Sequence, residues 1–288
     1  MTNQGHAPLV VFTSLAIAGA GIVAVDPLLR ETAHAAVSTP ALTASVALQA
    51  IALIVSLLHL GRMDRAPLAA RRTGPSPLSN EVVIAGAALA ASAALLALGW
   101  REPAPAAMRS LAGALCAGLL IAIGLVYRIP AQLTWTGPAA ITPISAGCAF
   151  GAVIIQALVP DLDGVPRAVI ALVGIDAAIF LLRWQEAASL DVSVVGRVAG
   201  PFWPRRHPWC AARFFFLDVL PLPLLLVWPT PLVIAAAAAG LVVDRVAFYG
   251  LAVQQTTERE IDRVDEVIRL QPARVGSEST SRPAKSRL

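Results

Sequence analysis

The chain has 288 residues, 57% of them hydrophobic and 14% charged, with a mean hydropathy of +0.71 and a formal net charge of +4. A soluble globular domain carries about 25% charged residues, so the composition excludes one and points to an all-α, polytopic membrane protein. All but one of the 22 basic residues are arginine, and they fall between apolar runs, where membrane topology explains them better than nucleic-acid binding does.

A membrane-spanning helix needs about 20 predominantly apolar residues, and eight stretches qualify. They are Leu9–Leu28, Ala41–Leu60, Glu81–Trp100, Arg109–Tyr127, Ile141–Val159, Arg167–Trp184, Arg213–Trp228 and Pro231–Val253. Together they predict a bundle of eight transmembrane helices over residues 1–253. The first run lacks the preceding basic residues and the cleavage site of a secretory signal, and is expected to stay as a span. Its AGAG glycines lie inside an apolar helix with no preceding strand, so they read as a packing face and not as a nucleotide loop. Pro221 and Pro223 should kink the seventh span and free backbone carbonyls that a cavity or neighbour must satisfy. Residues 254–288 form a polar tail: Ile261, Val264, Val267 and Ile268 predict a short amphipathic helix, followed by a segment composed for disorder.

Counting arginines by loop orients the bundle. The side holding the N-terminus takes Arg62, Arg65, Arg71, Arg72, Arg128, Arg183, Arg197, Arg205, Arg206 and Arg213. The other side takes Arg30, Arg101, Arg109 and Arg167. The positive-inside rule therefore puts both termini in the cytoplasm, unless the arginines serve a docked partner. Cys116, Cys148 and Cys210 have no metal-ligand spacing and read as small buried hydrophobes.

Ionisable residues inside lipid are costly, so each is a candidate for function or for a buried pair. Asp26 beside Pro27 reads as a water boundary. Asp176 lies mid-span, as a proton-relay group or a hydrogen-bonded packing residue. Asp244 and Arg245 are neighbours on the last helix and should point to different helices, with Arg245 in an interhelical pair. His59 and Glu81 end one span and open the next, so the link LGRMDRAPLAARRTGPSPLSN returns both to one face. There they could bind a quinol and take its protons, or simply mark two helix ends. A bis-histidine haem would need two ligands within spans, and only His59 is near one.

The segment HLGRMDRAPLAARRTGPSPLSNE resembles the signature of the membrane anchor subunit of dimethyl sulfoxide reductase: histidine-leucine-glycine, an arginine, a polar link, then leucine-serine-asparagine-glutamate opening the next helix. FTSLAIAGAG in the first span, VYRIPAQLTW after the fourth, Arg213 opening the seventh and DRVAFYG near the end of the eighth are similar too, so the resemblance covers residues 9–253. It implies a quinol-oxidising anchor without a redox centre of its own. Menaquinol would bind at His59 and Glu81, and electrons would pass to an iron–sulfur subunit and on to a molybdopterin catalytic subunit. Arg65, Tyr127, Arg128, Arg245 and Tyr249 would shape the site or dock the partner, and the setting would be the cytoplasmic (inner) membrane of a bacterium during anaerobic respiration. Where the pattern has a glutamate four residues before the arginine of the last helix, this chain has Leu241, and the nearby acid is Asp244. The alternatives are a proton-coupled secondary transporter, with Asp176 as the coupling group, and a structural anchor without a working quinol site.

Overall fold

The computed structural model describes residues 7–33, 38–59, 73–74, 76–99, 104–127, 137–158, 167–192, 203–227 and 230–250. All regular structure among them is helical. Eight helices are long and apolar enough to cross a membrane: Ala7–Leu29, Thr39–Leu57, Pro77–Gly99, Ala106–Val126, Ala140–Leu158, Arg167–Gln185, Pro208–Val227 and Thr230–Tyr249. These are the eight expected spans with shifted ends. The polar tail expected at 254–288 lies outside the described residues.

The distribution of polarity is that of a protein in lipid. Ile54, Leu111, Leu182, Leu226 and Val227 are exposed, whereas Gln49, Glu81, Asp176, Arg213, Asp244 and Arg245 are buried. In water the apolar exposure would be penalised; facing acyl chains it costs nothing, and the polar groups must satisfy one another inside the bundle.

The first and fifth spans form the centre, with 67% and 78% of an 18-residue apolar stretch in each buried. The first packs against the second, fourth, fifth and eighth, and the fifth also carries the sixth. Glycine is what lets the two central helices meet. A Cβ on Gly21 would come within 2.0 Å of the Gly147 carbonyl oxygen, and one on Gly151 within 2.2 Å of the Gly21 oxygen. Close backbone approach of this kind supplies the dispersion energy that holds helices together where no hydrophobic driving force operates between them. A polar seam joins the first three spans. Ser45 Oγ donates to the Gly19 carbonyl at 2.7 Å, and Gln49 Nε2 donates to Ser45 Oγ at 3.0 Å and Ser92 Oγ at 3.1 Å.

Two span ends and one loop arginine differ from the sequence expectation. The first helix runs Ala7–Ala24 and resumes as Asp26–Ala33, with Pro27 unable to donate to the ladder. Asp26 is 1% exposed, with Arg109 Nη1 3.8 Å from its Oδ2, so it is a buried partner of the fourth span and not a water boundary. The seventh span begins before Arg213, which is fully buried within it, and Arg183 is likewise buried in the sixth. Removing Arg183, Arg213 and Arg109 from the loop count leaves eight arginines against three, and the inferred orientation is unchanged.

The seventh span breaks as its prolines foretell, but upstream of them. The α-helix Trp203–Phe214 gives way to a π turn, Phe215–Val219, before Pro221–Val227 continues. The Leu220 N–H donates to the Phe215 carbonyl at 2.8 Å, five residues back. The extra residue in the turn shifts the ladder where a proline ring would otherwise meet the preceding turn.

Candidate functional site

Glu81 is set in place by local turn chemistry. Ser76 precedes the third span as its N-cap, its Oγ accepting from the Ser79 N–H at 3.3 Å, and Pro77 occupies the first helical position, where a missing N–H costs nothing. Asn80 reaches back to Gly74, accepting from its N–H at 2.6 Å and donating to its carbonyl at 3.2 Å. Gly74 has φ +101°, a conformation that strains any residue with a Cβ. The serines and asparagine of the signature therefore build the entry to the helix, and Glu81 comes one turn in, 3% exposed.

Because consecutive spans cross in alternating directions, the start of the third, the end of the fourth, the start of the first and the end of the eighth reach the same face. Tyr249, ending the eighth span, donates its hydroxyl to Tyr127 Oη at 2.5 Å, and its oxygen is 3.4 Å from Thr13 Oγ1. The two tyrosine rings and Phe248 meet edge-on in a three-ring wall, with centroids 5.2 to 5.5 Å apart. Glu81 and Arg245 both lie within Coulombic range of the two phenol groups. Four of the expected site residues, Glu81, Tyr127, Arg245 and Tyr249, thus form one neighbourhood. His59 ends the helix Thr39–His59, but its side chain lies outside the described residues, as do Arg65 and Arg128.

Glu81 Oε1 is buried and has no hydrogen-bond partner among the described residues. A carboxyl oxygen in that state is costly unless a ligand or water completes it. Within Coulombic range of it stands a phenol pair able to donate and accept, so these groups suit a small molecule that presents hydroxyl or carbonyl oxygens. Sequence reasoning did not single out Thr13 or Ser14, although both lie in the FTS of the first span. Ser14 Oγ is likewise buried with no hydrogen-bond partner among the described residues.

Before Tyr249 on the eighth span, Asp244 and Arg245 belong to a set of buried charges. The Arg213 guanidinium bonds three carboxylates: Asp176 Oδ2 at 2.6 Å through Nη2, Asp244 Oδ1 at 3.1 Å through Nε, and Asp218 Oδ2 through Nη1. Arg245 donates from Nε to Asp244 Oδ2 at 2.8 Å and from Nη2 to the same oxygen. The expectation that Asp244 and Arg245 would turn away from each other is corrected. Their backbones diverge by about 100° per residue on a 3.6-residue turn, but the long arginine side chain folds back to the shared carboxylate. Asp176 also accepts from Ser145 Oγ at 2.6 Å. Arg183 and Arg245 lie over the Phe248 ring at 4.6 and 4.8 Å, a cation–π arrangement that is strongest when desolvated. Gly240 makes the approach possible, because a Cβ there would come within 2.6 Å of the Leu217 nitrogen in the π turn.

No curated protein matches the chain significantly. A family model described as DMSO reductase anchor subunit (DmsC) matches residues 1–146. The matched half holds Thr13, His59, Glu81 and Tyr127, while Arg213, Asp218, Asp244, Arg245 and Tyr249 lie beyond it. Eight spans, a signature link and a family match over half its length lead to one conclusion: the chain is a multi-pass membrane protein that belongs to the family of DMSO reductase anchor subunits.

Proposed function

We propose that the chain is the quinol-oxidising anchor of a molybdenum-containing reductase in a bacterial inner membrane, with menaquinol as its substrate. The observation that carries this reading is the buried Glu81 carboxyl, with one oxygen unpartnered, within Coulombic range of the Tyr127–Tyr249 pair. Oxidising a quinol removes two electrons and two protons, so a site for it needs proton acceptors that reach the ring oxygens.

Glu81 accepts the hydrogen bond of one hydroxyl and takes its proton as the electrons leave. Tyr127 and Tyr249 hold the ring by hydrogen bond and edge contact, and Arg245 adds a positive potential at the two phenols. His59, at the same membrane face, is the second acceptor, and Arg65 and Arg128 belong to the face where a partner docks. Electrons pass to an iron–sulfur subunit and on to a molybdopterin subunit, since the family's anchors serve such a reductase.

The test is a fluorescence titration of a quinol-site inhibitor, with quinol oxidation measured in parallel, on the assembled complex carrying wild-type chain, His59→Arg or Glu81→Gln. Weakened inhibitor binding and slowed oxidation in both variants are expected. Wild-type behaviour of both would overturn the site.

A further inference from the structure

Three buried aspartates, Asp176, Asp218 and Asp244, share the interior with three buried arginines, Arg183, Arg213 and Arg245, none more than 6% exposed. The charges balance, but the hydrogen bonds do not. Arg213 directs all three of its nitrogens at carboxylates. Arg245 gives Nε and Nη2 to Asp244, and its buried Nη1 has no partner among the described residues. Arg183 makes no ion pair there, and its buried Nη2 has no partner either. Both guanidinium groups lie over one ring. Their Cζ atoms are 4.6 and 4.8 Å from the centroid of Phe248, so they stand no further apart than the sum of those distances. Phe248 follows Arg245 by three residues, about one turn along the eighth span, and Arg183 reaches it from the sixth. The same ring meets those of Tyr127 and Tyr249 edge-on, at 5.2 and 5.3 Å. Phe248 thus joins two cationic donor groups to the phenol pair, and every link in the group is a direct contact.

A buried donor without an acceptor costs free energy, and two of them on one ring suit a ligand that brings an oxygen. Guanidinium offers N–H donors and no acceptor. A carbonyl oxygen therefore fits it completely, whereas a hydroxyl leaves its own hydrogen to be placed elsewhere. Net charge narrows the choice. With three aspartates against three arginines the cluster is neutral, so a resident anion would add an uncompensated charge in a low dielectric, and a neutral carbonyl compound would not. We propose that Arg183 and Arg245 hold one carbonyl oxygen of a quinone, the oxidised product, and bind that form in preference to the quinol. This rests on the quinol-oxidising reading and deepens it with Arg183, a residue outside the sequence candidates for the site. No covalent bond forms or breaks at the arginines and no proton leaves them; they only donate hydrogen bonds to the product oxygen. Holding the product more tightly than the substrate lowers the midpoint potential of the bound couple below that of the free one. The bound quinol is then the stronger reductant.

Infrared difference spectroscopy of the assembled complex in phosphatidylcholine nanodiscs tests this, with a short-chain naphthoquinone isotope-labelled at its carbonyls as the probe. In wild type one carbonyl band should move to lower frequency on binding, because a hydrogen bond from a cation weakens the C=O bond. Arg183→Met should lose that shift, and Arg183→Lys, which keeps the charge but not the fork, should retain part of it. Calorimetry should separate the two redox forms: quinone binding about tenfold weaker in Arg183→Met, quinol binding changed by less than about threefold. Unshifted carbonyl bands in quinone-bound wild type, which require no variant to fold, overturn the proposal. Equal weakening of both forms does the same, since a merely structural arginine would act on both alike. Adding phosphatidylglycerol to the nanodiscs should leave the shift in place; its loss would assign the donors to a lipid phosphate and overturn the proposal. Quinol oxidation with a bound but unshifted quinone removes only the role of Arg183 and Arg245. If wild type neither binds the quinone nor oxidises the quinol, the quinol reading falls and this inference with it.

Discussion

The hydroxyl of Tyr249 donates to that of Tyr127 across 2.5 Å, joining two residues 122 positions apart in the chain at one end of the bundle. Replacing Tyr249 by Phe leaves the ring wall in place and removes the donor. The expected result is a rise of up to about tenfold in KM for a quinol analogue, equivalent to about 1.4 kcal/mol of lost binding, with a smaller change in kcat. Thermal stability should fall by about 1 kcal/mol, the net worth of one hydrogen bond. Steady-state kinetics and a melting curve of the complex check both.

The crossing of the first and fifth spans predicts intolerance to a single methyl group. Gly21→Ala puts a Cβ 2.0 Å from the Gly147 oxygen, and neither the helix that carries the Cβ nor the backbone that carries the oxygen can step aside cheaply. Overpacking of this kind costs about 1–3 kcal/mol, so Gly21→Ala should lower the melting temperature and the yield of purified chain. Gly86→Ala is the control: nothing lies within 4 Å of a Cβ there, and its stability should equal or exceed that of wild type.

Arg213 should be the least replaceable cation. Arg213→Leu leaves Asp176 and Asp218 facing each other with no counter-charge, and stripping one partner from a buried ion pair costs about 3–5 kcal/mol. Arg213→Lys keeps the charge but not the fork that bonds three carboxylates, so its loss should be intermediate. Denaturant titration in mild detergent ranks the three proteins.

The entry to the third span predicts a positional effect on Glu81. Ser76→Ala removes the side-chain acceptor at the helix start, worth about 0.5–2 kcal/mol, and Asn80→Ala releases the two bonds to Gly74. Neither residue is placed against substrate. Inhibitor affinity should nevertheless fall in both variants, through a displaced Glu81, and limited proteolysis should cut the preceding link faster. Unchanged affinity in both would show that the cap does not position the carboxyl.

Two features explain what could be read and what could not. Span number is legible because a bilayer demands about 20 apolar residues in sequence order, whatever the helices later touch. The common face of His59 and Glu81 is legible for the same reason, since an even number of crossings is a matter of counting. The sequence reading misplaces the ends of the first and seventh spans, and counts Arg183 of the sixth with the loops, because it takes charge as a sign of water. Asp26, Arg183 and Arg213 are charged and buried, each compensated by groups that only the packed bundle brings near.

Sequence by itself determined that this is an eight-span membrane protein of a recognisable family, and that an acid and a histidine share one membrane face. Those properties depend on hydropathy, loop composition and order along the chain. Tertiary structure alone decided that Tyr127 and Tyr249 touch, that Asp176 is ion-paired, and that three aspartates converge on Arg213. The reason is distance. A contact between residues 31 or 122 positions apart is created by helix packing, and that packing is governed by where glycines such as Gly21, Gly151 and Gly240 let backbones meet.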